Sequence, residues 1–206
     1  MKTFNCLVPD WEEMQNLAKI ACDKIKKGDF YPDIILGISR GGLVPARLLS
    51  DYLHIKDIAT IKADHWGVTA TKDGTAKIKH SSTADFSGKN VLIVDDVTDT
   101  GQSMNIVKEH ILGHNPKSVR TATLYNLKGS KHVPDFYGKE IDWIWIIFPW
   151  NYQEDLMNII GQIQAEEEKN LDDLQKTLKN DFKIETRREK LNEIMEHIEF
   201  IKKKNH

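Results

Sequence analysis

The stretch that decides the fold is VLIVDDVTDTGQS, residues 91–103. Its four large apolar residues, 91–94, predict a buried strand, and two adjacent carboxylates, Asp95 and Asp96, follow at its carboxyl end. Neighbouring strand residues point to opposite faces, so both carboxylates serve one ligand only where the strand is ending. The run TDTGQS comes next and leads into a helical pattern that begins near Met104.

The pattern outside this stretch indicates an α/β fold. Continuous apolar runs that alternate with helical patterns are typical of a largely parallel sheet covered by helices on both faces. In such a sheet, ligands bind at the carboxyl ends of the strands. Helical patterns at residues 44–53 and 103–112 each follow a predicted strand. An amphipathic helix is predicted from Asp10 to about Lys27. The other apolar runs are DIILGI (33–38), IATI (58–61), VRTATLY (119–125) and WIWIIF (143–148).

Two segments depart from this pattern. Residues 63–90 are polar and rich in Thr, Ser, Lys and Gly, which predicts a functional lid or a disordered segment, and the sequence KDGT (72–75) within it is a hairpin signal. Residues 151–206 are highly charged, with apolar residues at helical spacing. We predict two or more amphipathic helices there, packed on their own core or on a second subunit. The predicted organisation is a main domain at 1–150 and a helical extension at 151–206.

The bulk composition is that of a globular protein. The chain has 206 residues, of which 40% are hydrophobic and 29% charged, and its net charge is −2. So small a net charge gives no electrostatic reason to expect nucleic acid or an anionic membrane as a partner. We expect no signal peptide and no membrane span, because the N-terminus lacks an apolar core and no apolar run is long enough. Two cysteines, Cys6 and Cys22, are interpreted as reduced thiols of a cytoplasmic protein.

The residues that follow the predicted strand at 91–94 suit a phosphorylated sugar. A turn of small residues before a helix exposes backbone N–H groups to a phosphate, and Thr100 and Ser103 add hydroxyl donors. Gly101 permits close approach of the backbone. Paired carboxylates repel each other unless a cation or ligand compensates, so Asp95 and Asp96 are expected to bind sugar hydroxyls, directly or through Mg²⁺. The open alternative is that these carboxylates merely cap a strand and that Ser103 is a helix N-cap.

A second strand, turn and helix has the same character. In ILGISRGGLVPARLL, residues 35–49, Gly41 and Gly42 permit close backbone approach, and Arg40 offers a planar set of donors suited to phosphate oxygens. The alternative for Arg40 is a surface ion pair.

These motifs resemble those of a known family. VLIVDDVTDTGQS resembles the phosphoribosyl-pyrophosphate (PRPP) signature of the type I phosphoribosyltransferases. SRGGLVPA, residues 39–46, resembles the pyrophosphate loop of the 6-oxopurine members, which act on xanthine, guanine or hypoxanthine. The resemblance covers about residues 34–150. It implies a type I phosphoribosyltransferase-like fold, with residues 63–90 as the mobile lid and residues 126–150 as a hood that binds the base.

The resemblance implies a role for each motif. Asp95 and Asp96 would contact the ribose hydroxyls of PRPP and, with PRPP oxygens and water, hold Mg²⁺. Asp99 would act as the general base or acid near the purine N7; its alternative is a loop residue that accepts backbone hydrogen bonds. We also predict a non-proline cis peptide between Ser39 and Arg40. The implied 5′-phosphate loop is Asp99, Thr100, Gly101, Gln102 and Ser103, and the implied pyrophosphate loop is Ser39, Arg40 and Gly41.

The base side of the resemblance rests on WIWIIFPWN, residues 143–151. There Trp145 is expected to stack on the base, and Ile146 and Ile147 to offer backbone groups to its C2 side. Trp143 and Trp150 are interpreted as structural core residues. The family usually has a lysine that donates to the purine 6-oxo group, but Leu127 falls at that place in TLYNLKGSKHVPDFY (123–137). A one-residue shift in the turn would deliver Lys128 instead, with Lys131 as a weaker substitute.

The predicted function is transfer of ribose 5-phosphate from PRPP to a 6-oxopurine. Alternatives are transfer to adenine or a pyrimidine, which the displaced lysine keeps open, and a regulator that senses PRPP or nucleotides on the same fold. We expect a homo-oligomer, a dimer or tetramer, because the apolar stripes of the tail favour self-association. No nucleic acid or membrane partner is expected.

Overall fold

The computed structural model describes residues 3–65 and 76–204. Within them, the chain forms eight strands and six helices. In order, they are β1 Cys6–Leu7, α1 Trp11–Lys27, β2 Ile34–Ser39, α2 Leu43–Leu53, β3 Ile58–His65, β4 Ala76–His80, β5 Asn90–Thr98, α3 Gln102–Leu112, β6 Ser118–Leu127, β7 Phe136–Ile141, β8 Trp145–Ile146, α4 Tyr152–Glu166, α5 Leu171–Phe182 and α6 Arg188–Lys204.

The main sheet has six strands in the order β4-β3-β2-β5-β6-β7. All neighbouring pairs are parallel except β3 with β4. Helices α2 and α3 connect parallel strands, as expected for crossovers in an α/β sheet. The predicted α/β class with a largely parallel sheet is therefore confirmed.

Apolar side chains fill both faces of this sheet. Alternate residues of the central strand β5 divide between the faces: Val91 and Ile93 pack with α3, whereas Leu92 and Val94 pack with α1 and α2. All four are fully buried. A strand covered on both sides has no polar face, which explains the continuous apolar run in its sequence.

The predicted hairpin is present in part. β3 and β4 pair antiparallel, with Lys62 opposite His80 and Ala63 opposite Ile78. The Asp-Gly turn predicted to join them lies outside the described residues, within 66–75. The role of residues 63–90 as a lid stays a prediction.

The chain divides into two compact units, one formed by residues 12–143 and the other by residues 1–11 with 144–206. In the second, smaller unit, β1 pairs with β8, so that Cys6 lies opposite Trp145. The boundaries between the units therefore fall after residues 11 and 143, whereas the sequence predicted a single boundary after Trp150. None of the helices in the described ranges has the length and apolar character needed to span a bilayer.

The smaller unit has its own apolar core. The helical stripes predicted in the tail form it, as shown by Leu174, Leu178, Leu191 and Ile194, which are fully buried in one cluster. Ile201, at the end of the predicted stripe, is instead 36% exposed. The prediction of amphipathic helices that pack on their own core is confirmed for α4, α5 and α6.

Candidate active site

Two strand-to-helix turns lie side by side in the larger unit. β2 and β5 are parallel neighbours, with Ile34 opposite Val91 and Gly37 opposite Val94, so the turns after both strands emerge at the same edge of the sheet. Gly41 of the first turn packs directly on the Asp96 carboxylate of the second. A Cβ atom built on Gly41 would lie 2.3 Å from Asp96 Oδ2 and 2.6 Å from its Cγ. The sheet therefore brings the two motifs predicted to bind PRPP into contact.

The paired carboxylates lie within a strand rather than after one. β5 continues to Thr98, and Asp95 pairs with Thr123 of β6. On its other side, the pairing of β5 with β2 ends at Val94, so the strand leaves β2 before the carboxylates begin. That departure, rather than the end of the strand, brings Asp95 and Asp96 to the edge where the turns meet.

Electrostatic repulsion is built into this pair. Burial and the neighbouring Asp96 carboxylate raise the pKa of Asp95 well above its usual range. The backbone N–H of Asp96 donates to Asp95 Oδ1 at 3.0 Å, which opposes that rise. A cation or a set of hydroxyl donors at this site would relieve the repulsion.

The turn after β5 has the geometry of an anion cradle. Gly101 is the N-cap of α3 and has a φ of +78°, in the left-handed region that favours glycine. Its carbonyl accepts from the backbone N–H of Asn105, and Thr100 Oγ1 accepts a 3.4 Å hydrogen bond from the N–H of Gln102. Ser103 lies inside the helix, so its alternative role as N-cap is wrong. The positive end of α3 thus points toward the turn.

Asp99 lies on the exposed side of this turn. In the part of the chain that the structure describes, its carboxylate accepts no hydrogen bond. The alternative interpretation of Asp99 as an acceptor of backbone hydrogen bonds therefore has no support, and the carboxylate is open to a substrate.

The turn after β2 contains the predicted cis peptide, between Ser39 and Arg40. Ser39 Oγ donates to the carbonyl of Ile61 on β3 at 3.1 Å, and the N–H of Gly42 donates to the carbonyl of Ile38 at 2.8 Å. Ser39 and Gly42 therefore anchor the loop to the sheet, and Arg40 between them is exposed.

The segment predicted to recognise the base belongs to the smaller unit. Trp145 is half-buried and makes an edge-on contact with Phe4, with ring centroids 6.2 Å apart. The N–H of Ile147 donates to the carbonyl of Leu7 at 2.9 Å, so that donor is already committed. Ile146 pairs with Leu7 in the two-stranded sheet. The base-contacting roles of Trp145, Ile146 and Ile147 stay predictions.

The two other tryptophans of this motif differ. Trp150 stacks on Phe148, with ring centroids 4.9 Å apart and an angle of 13°, and also packs against Trp11, which confirms its structural role. Trp143 is 58% exposed, so its assignment to the core is wrong. The chain leaves β7 at Ile141 and bends at Trp143, and the alternation expected of one continuous strand therefore does not apply.

The displaced lysine is held at the surface. Leu127 is buried, whereas Lys128 Nζ lies 3.0 Å from Asp142 Oδ1, and both side chains are mostly exposed. The backbone N–H of Lys128 donates to the carbonyl of Ile141. Lys128, which was predicted to contact the base, directly follows β6 and is paired with the Asp142 carboxylate.

The turn between β6 and β7 contributes a contact that the sequence pattern did not predict. The backbone N–H of Lys131 donates to the carbonyl of Thr100 at 3.3 Å. A Cβ atom on Gly101 would lie 2.5 Å from His132 Cβ, and 2.9 Å from Ser130 Oγ. This turn is therefore packed directly behind the anion cradle.

Comparison with known proteins agrees with this geometry. Residues 10–155 match the phosphoribosyl transferase domain. The xanthine-guanine phosphoribosyltransferase of Idiomarina loihiensis is 30% identical over 141 residues, covering 68% of this chain and 84% of that protein. The enzyme of the same name from Desulfotalea psychrophila is 31% identical over 144 residues, covering 68% and 83%. A solved purine phosphoribosyltransferase from Pyrococcus horikoshii is 29% identical with a TM-score of 0.62, covering 71% of this chain and 93% of that one.

The fold and the two adjoining turns are those of a transferase that handles an activated sugar phosphate. The chain belongs to the phosphoribosyltransferase family, as its motifs indicated.

Proposed function

We propose that the protein transfers ribose 5-phosphate from PRPP to a 6-oxopurine base, giving the nucleoside 5′-monophosphate and pyrophosphate. This is a purine-salvage reaction. The observation that carries the proposal is the contact between Gly41 and Asp96, because it joins a pyrophosphate loop to a ribose-binding carboxylate. The names of the relatives, xanthine-guanine phosphoribosyltransferases at 30% and 31% identity, support the choice of a 6-oxopurine acceptor.

Each part of PRPP has a matching set of residues. Asp95 and Asp96 hold the ribose hydroxyls. The turn from Asp99 to Ser103 holds the 5′-phosphate through backbone N–H groups, the hydroxyls of Thr100 and Ser103, and the dipole of α3. The turn from Ser39 to Gly41 holds the pyrophosphate, and its arginine supplies charge-assisted hydrogen bonds to the leaving group.

Mg²⁺ fits this donor set. Across residues 3–65 and 76–204, no cluster of three or more His, Cys, Asp or Glu side chains forms a complete metal site. Two adjacent carboxylates with oxygen donors suit a cation whose remaining ligands come from PRPP and water. Asp95 and Asp96 would hold it, and the bound ion would neutralise charge on the pyrophosphate.

The reaction exchanges one bond at C1′ for another. The bond from C1′ to the pyrophosphate oxygen breaks while the bond from C1′ to purine N9 forms, through a transition state with positive charge on the ribose. The carboxylates of Asp95 and Asp96 stabilise that charge, and Arg40 with the backbone donors of its loop stabilises the leaving group. Asp99, exposed on its turn, takes the N7 proton of the attacking purine.

The proposed base contacts come from Trp145, Ile146, Ile147 and Lys128. Trp145 stacks on the purine, and backbone groups of Ile146 and Ile147 contact its C2 side. Because the N–H of Ile147 is bound to Leu7, that donor takes no part in the contact. Lys128 donates to the 6-oxo oxygen after leaving Asp142, an exposed ion pair that costs little to break.

A cytoplasmic homo-oligomer is part of the same proposal. The cytoplasmic location is supported by Cys6 and Cys22, which are buried free thiols, as expected of a protein in a reducing compartment. Burial raises the pKa of Cys6 to about 11, so this thiol is unreactive. Size measurement in solution tests whether the protein is a dimer or tetramer.

The deciding experiment supplies the protein with PRPP, Mg²⁺ and one nucleobase at a time, and measures pyrophosphate release. Turnover with xanthine, guanine or hypoxanthine is expected. Turnover with adenine or orotate alone would contradict the acceptor class. No turnover with any base, together with tight PRPP binding, would favour the sensing regulator.

A further inference from the structure

One histidine links three elements behind the anion cradle. His132 Nδ1 lies 2.6 Å from Asn105 Oδ1, and Asn105 is in the first turn of α3. His132 Nε2 lies 3.2 Å from Thr121 Oγ1 on β6. The histidine backbone and Cβ also press against Gly101, where a Cβ atom would have no room. The ring therefore spans from the sheet to the helix whose N-terminus forms the cradle.

The Thr121 end of this link is held by the Asp135 carboxylate. Thr121 donates its backbone N–H to Asp135 Oδ2 at 2.9 Å, and its hydroxyl lies 2.9 Å from the same oxygen. Arg120 Nη1 donates to Asp135 Oδ1 at 2.8 Å, and Lys108 of α3 lies 4.0 Å from Asp135. Hydrogen bonds from Arg120 and Thr121 lower the pKa of Asp135 despite its partial burial. The carboxylate is therefore a fixed anion at neutral pH.

The ring of His132 is suited to a fixed link rather than to proton transfer. Burial and the nearby Lys108 lower its pKa, while Asp135 opposes that shift. The Thr121 hydroxyl donates its one proton to Asp135, so His132 Nε2 carries a proton and donates to Thr121 Oγ1, while Nδ1 faces the side-chain amide of Asn105.

We propose that His132 is a positioning residue for the 5′-phosphate loop, which it holds in its binding conformation by bracing Gly101 and the first turn of α3 against β6. This inference rests on the proposed function, because it assumes that the turn binds the phosphate of PRPP. A loop fixed before its ligand arrives loses less conformational entropy on binding. Loss of the link should therefore weaken PRPP and leave the nucleobase unaffected.

The test compares His132→Ala with the wild type and with His114→Ala, a matched histidine that is exposed at the far end of α3. We expect His132→Ala to raise the KM and Kd for PRPP about tenfold, the equivalent of losing about one net hydrogen bond, without changing the KM for the base. His114→Ala should match the wild type. His132→Asn, which keeps an amide near the position of Nδ1, should recover most of the affinity.

Asn105→Ala removes the same contact from the helix side and serves if His132→Ala unfolds. It should weaken PRPP to a similar extent. Equal PRPP affinity in wild type, His132→Ala and Asn105→Ala would overturn the inference, as would equal changes in the KM of both substrates. Failure of the wild type to bind PRPP would instead overturn the proposed function.

Discussion

The PRPP side and the base side of the proposed site are built differently. On the PRPP side, both turns continue parallel strands with buried apolar residues, and a glycine of one turn contacts a carboxylate of the other. On the base side, Lys128 is held in a surface ion pair, and Trp145 and Ile146 form a strand of only two residues. In the proposed site, the sheet would fix the position of the sugar phosphate, whereas base choice would depend on short local segments. Substitutions on the PRPP side should therefore have the larger effects.

The largest effect is expected for Asp99→Asn. The amide keeps the size of the side chain but cannot accept the N7 proton, so kcat should fall by roughly 10²–10⁴-fold with little change in KM for PRPP. Steady-state pyrophosphate release measures both constants. An unchanged kcat would remove Asp99 from the chemistry and leave the carboxylate as part of the phosphate loop alone.

Gly41→Ala should have the next largest effect. The new methyl group meets the Asp96 carboxylate at a distance that no packed Cβ tolerates, so the carboxylate must move away from the ribose. We expect kcat/KM for PRPP to fall by about 10²-fold, as for other displacements of about 1 Å. Gly161→Ala in α4 is the matched control, because its Cβ has open space and should leave activity unchanged. If both variants retain activity, the contact between the turns is not required.

Asp95→Asn should stabilise the protein without ligand while lowering its activity. Because the pKa of Asp95 is raised in the folded state, the unfolded chain ionises first, above about pH 3.9. The wild type therefore loses stability as the pH rises from that value toward the folded pKa, and the amide variant does not. Thermal unfolding between pH 4 and 8 should show a higher Tm for the variant near neutrality, by about 2–4 °C for each kcal/mol. A lower Tm for the variant at pH 7 would mean that burial and the Asp96 charge do not destabilise the ionised Asp95.

The smallest effect is expected for Lys128→Ala. If the lysine leaves Asp142 to contact the base, the KM for the 6-oxopurine should rise by about 3–10-fold, the range of one typical net hydrogen bond. The KM for PRPP should not change, and neither should stability, because exposed ion pairs contribute little. Lys131→Ala provides the comparison on the neighbouring turn. An unchanged KM for the base in Lys128→Ala would assign recognition of the 6-oxo group to backbone atoms.

The sequence predicts the strand, turn and helix that carry the proposed PRPP motif well, because these elements are local. A buried strand, a turn of small residues and a helix occupy one short stretch, and their chemistry follows from residue type. What it did not predict was that Asp95 and Asp96 remain in β5, because their access depends on where the neighbouring β2 stops pairing.

Features that depend on distant residues were missed for a physical reason. The contacts of His132 join three separate elements, and no periodicity in the turn that contains it indicates a partner. Trp143 was placed in the core by strand alternation, but the chain bends there. The pairing of Cys6 with Trp145 could not be predicted from the sequence either, since a two-residue strand has no hydrophobic pattern of its own.

That pairing has a consequence for the order in which the chain folds as it is synthesised. The larger unit is one uninterrupted segment, 12–143, so all its contacts are available once that segment has left the ribosome. The smaller unit combines the first residues with the last, and Cys6 must wait for Trp145 and the helices that follow. Strand β1 thus emerges before the larger unit and is completed after it. Protection of Cys6 from a thiol reagent should be acquired late in synthesis, after the sheet of the larger unit has formed.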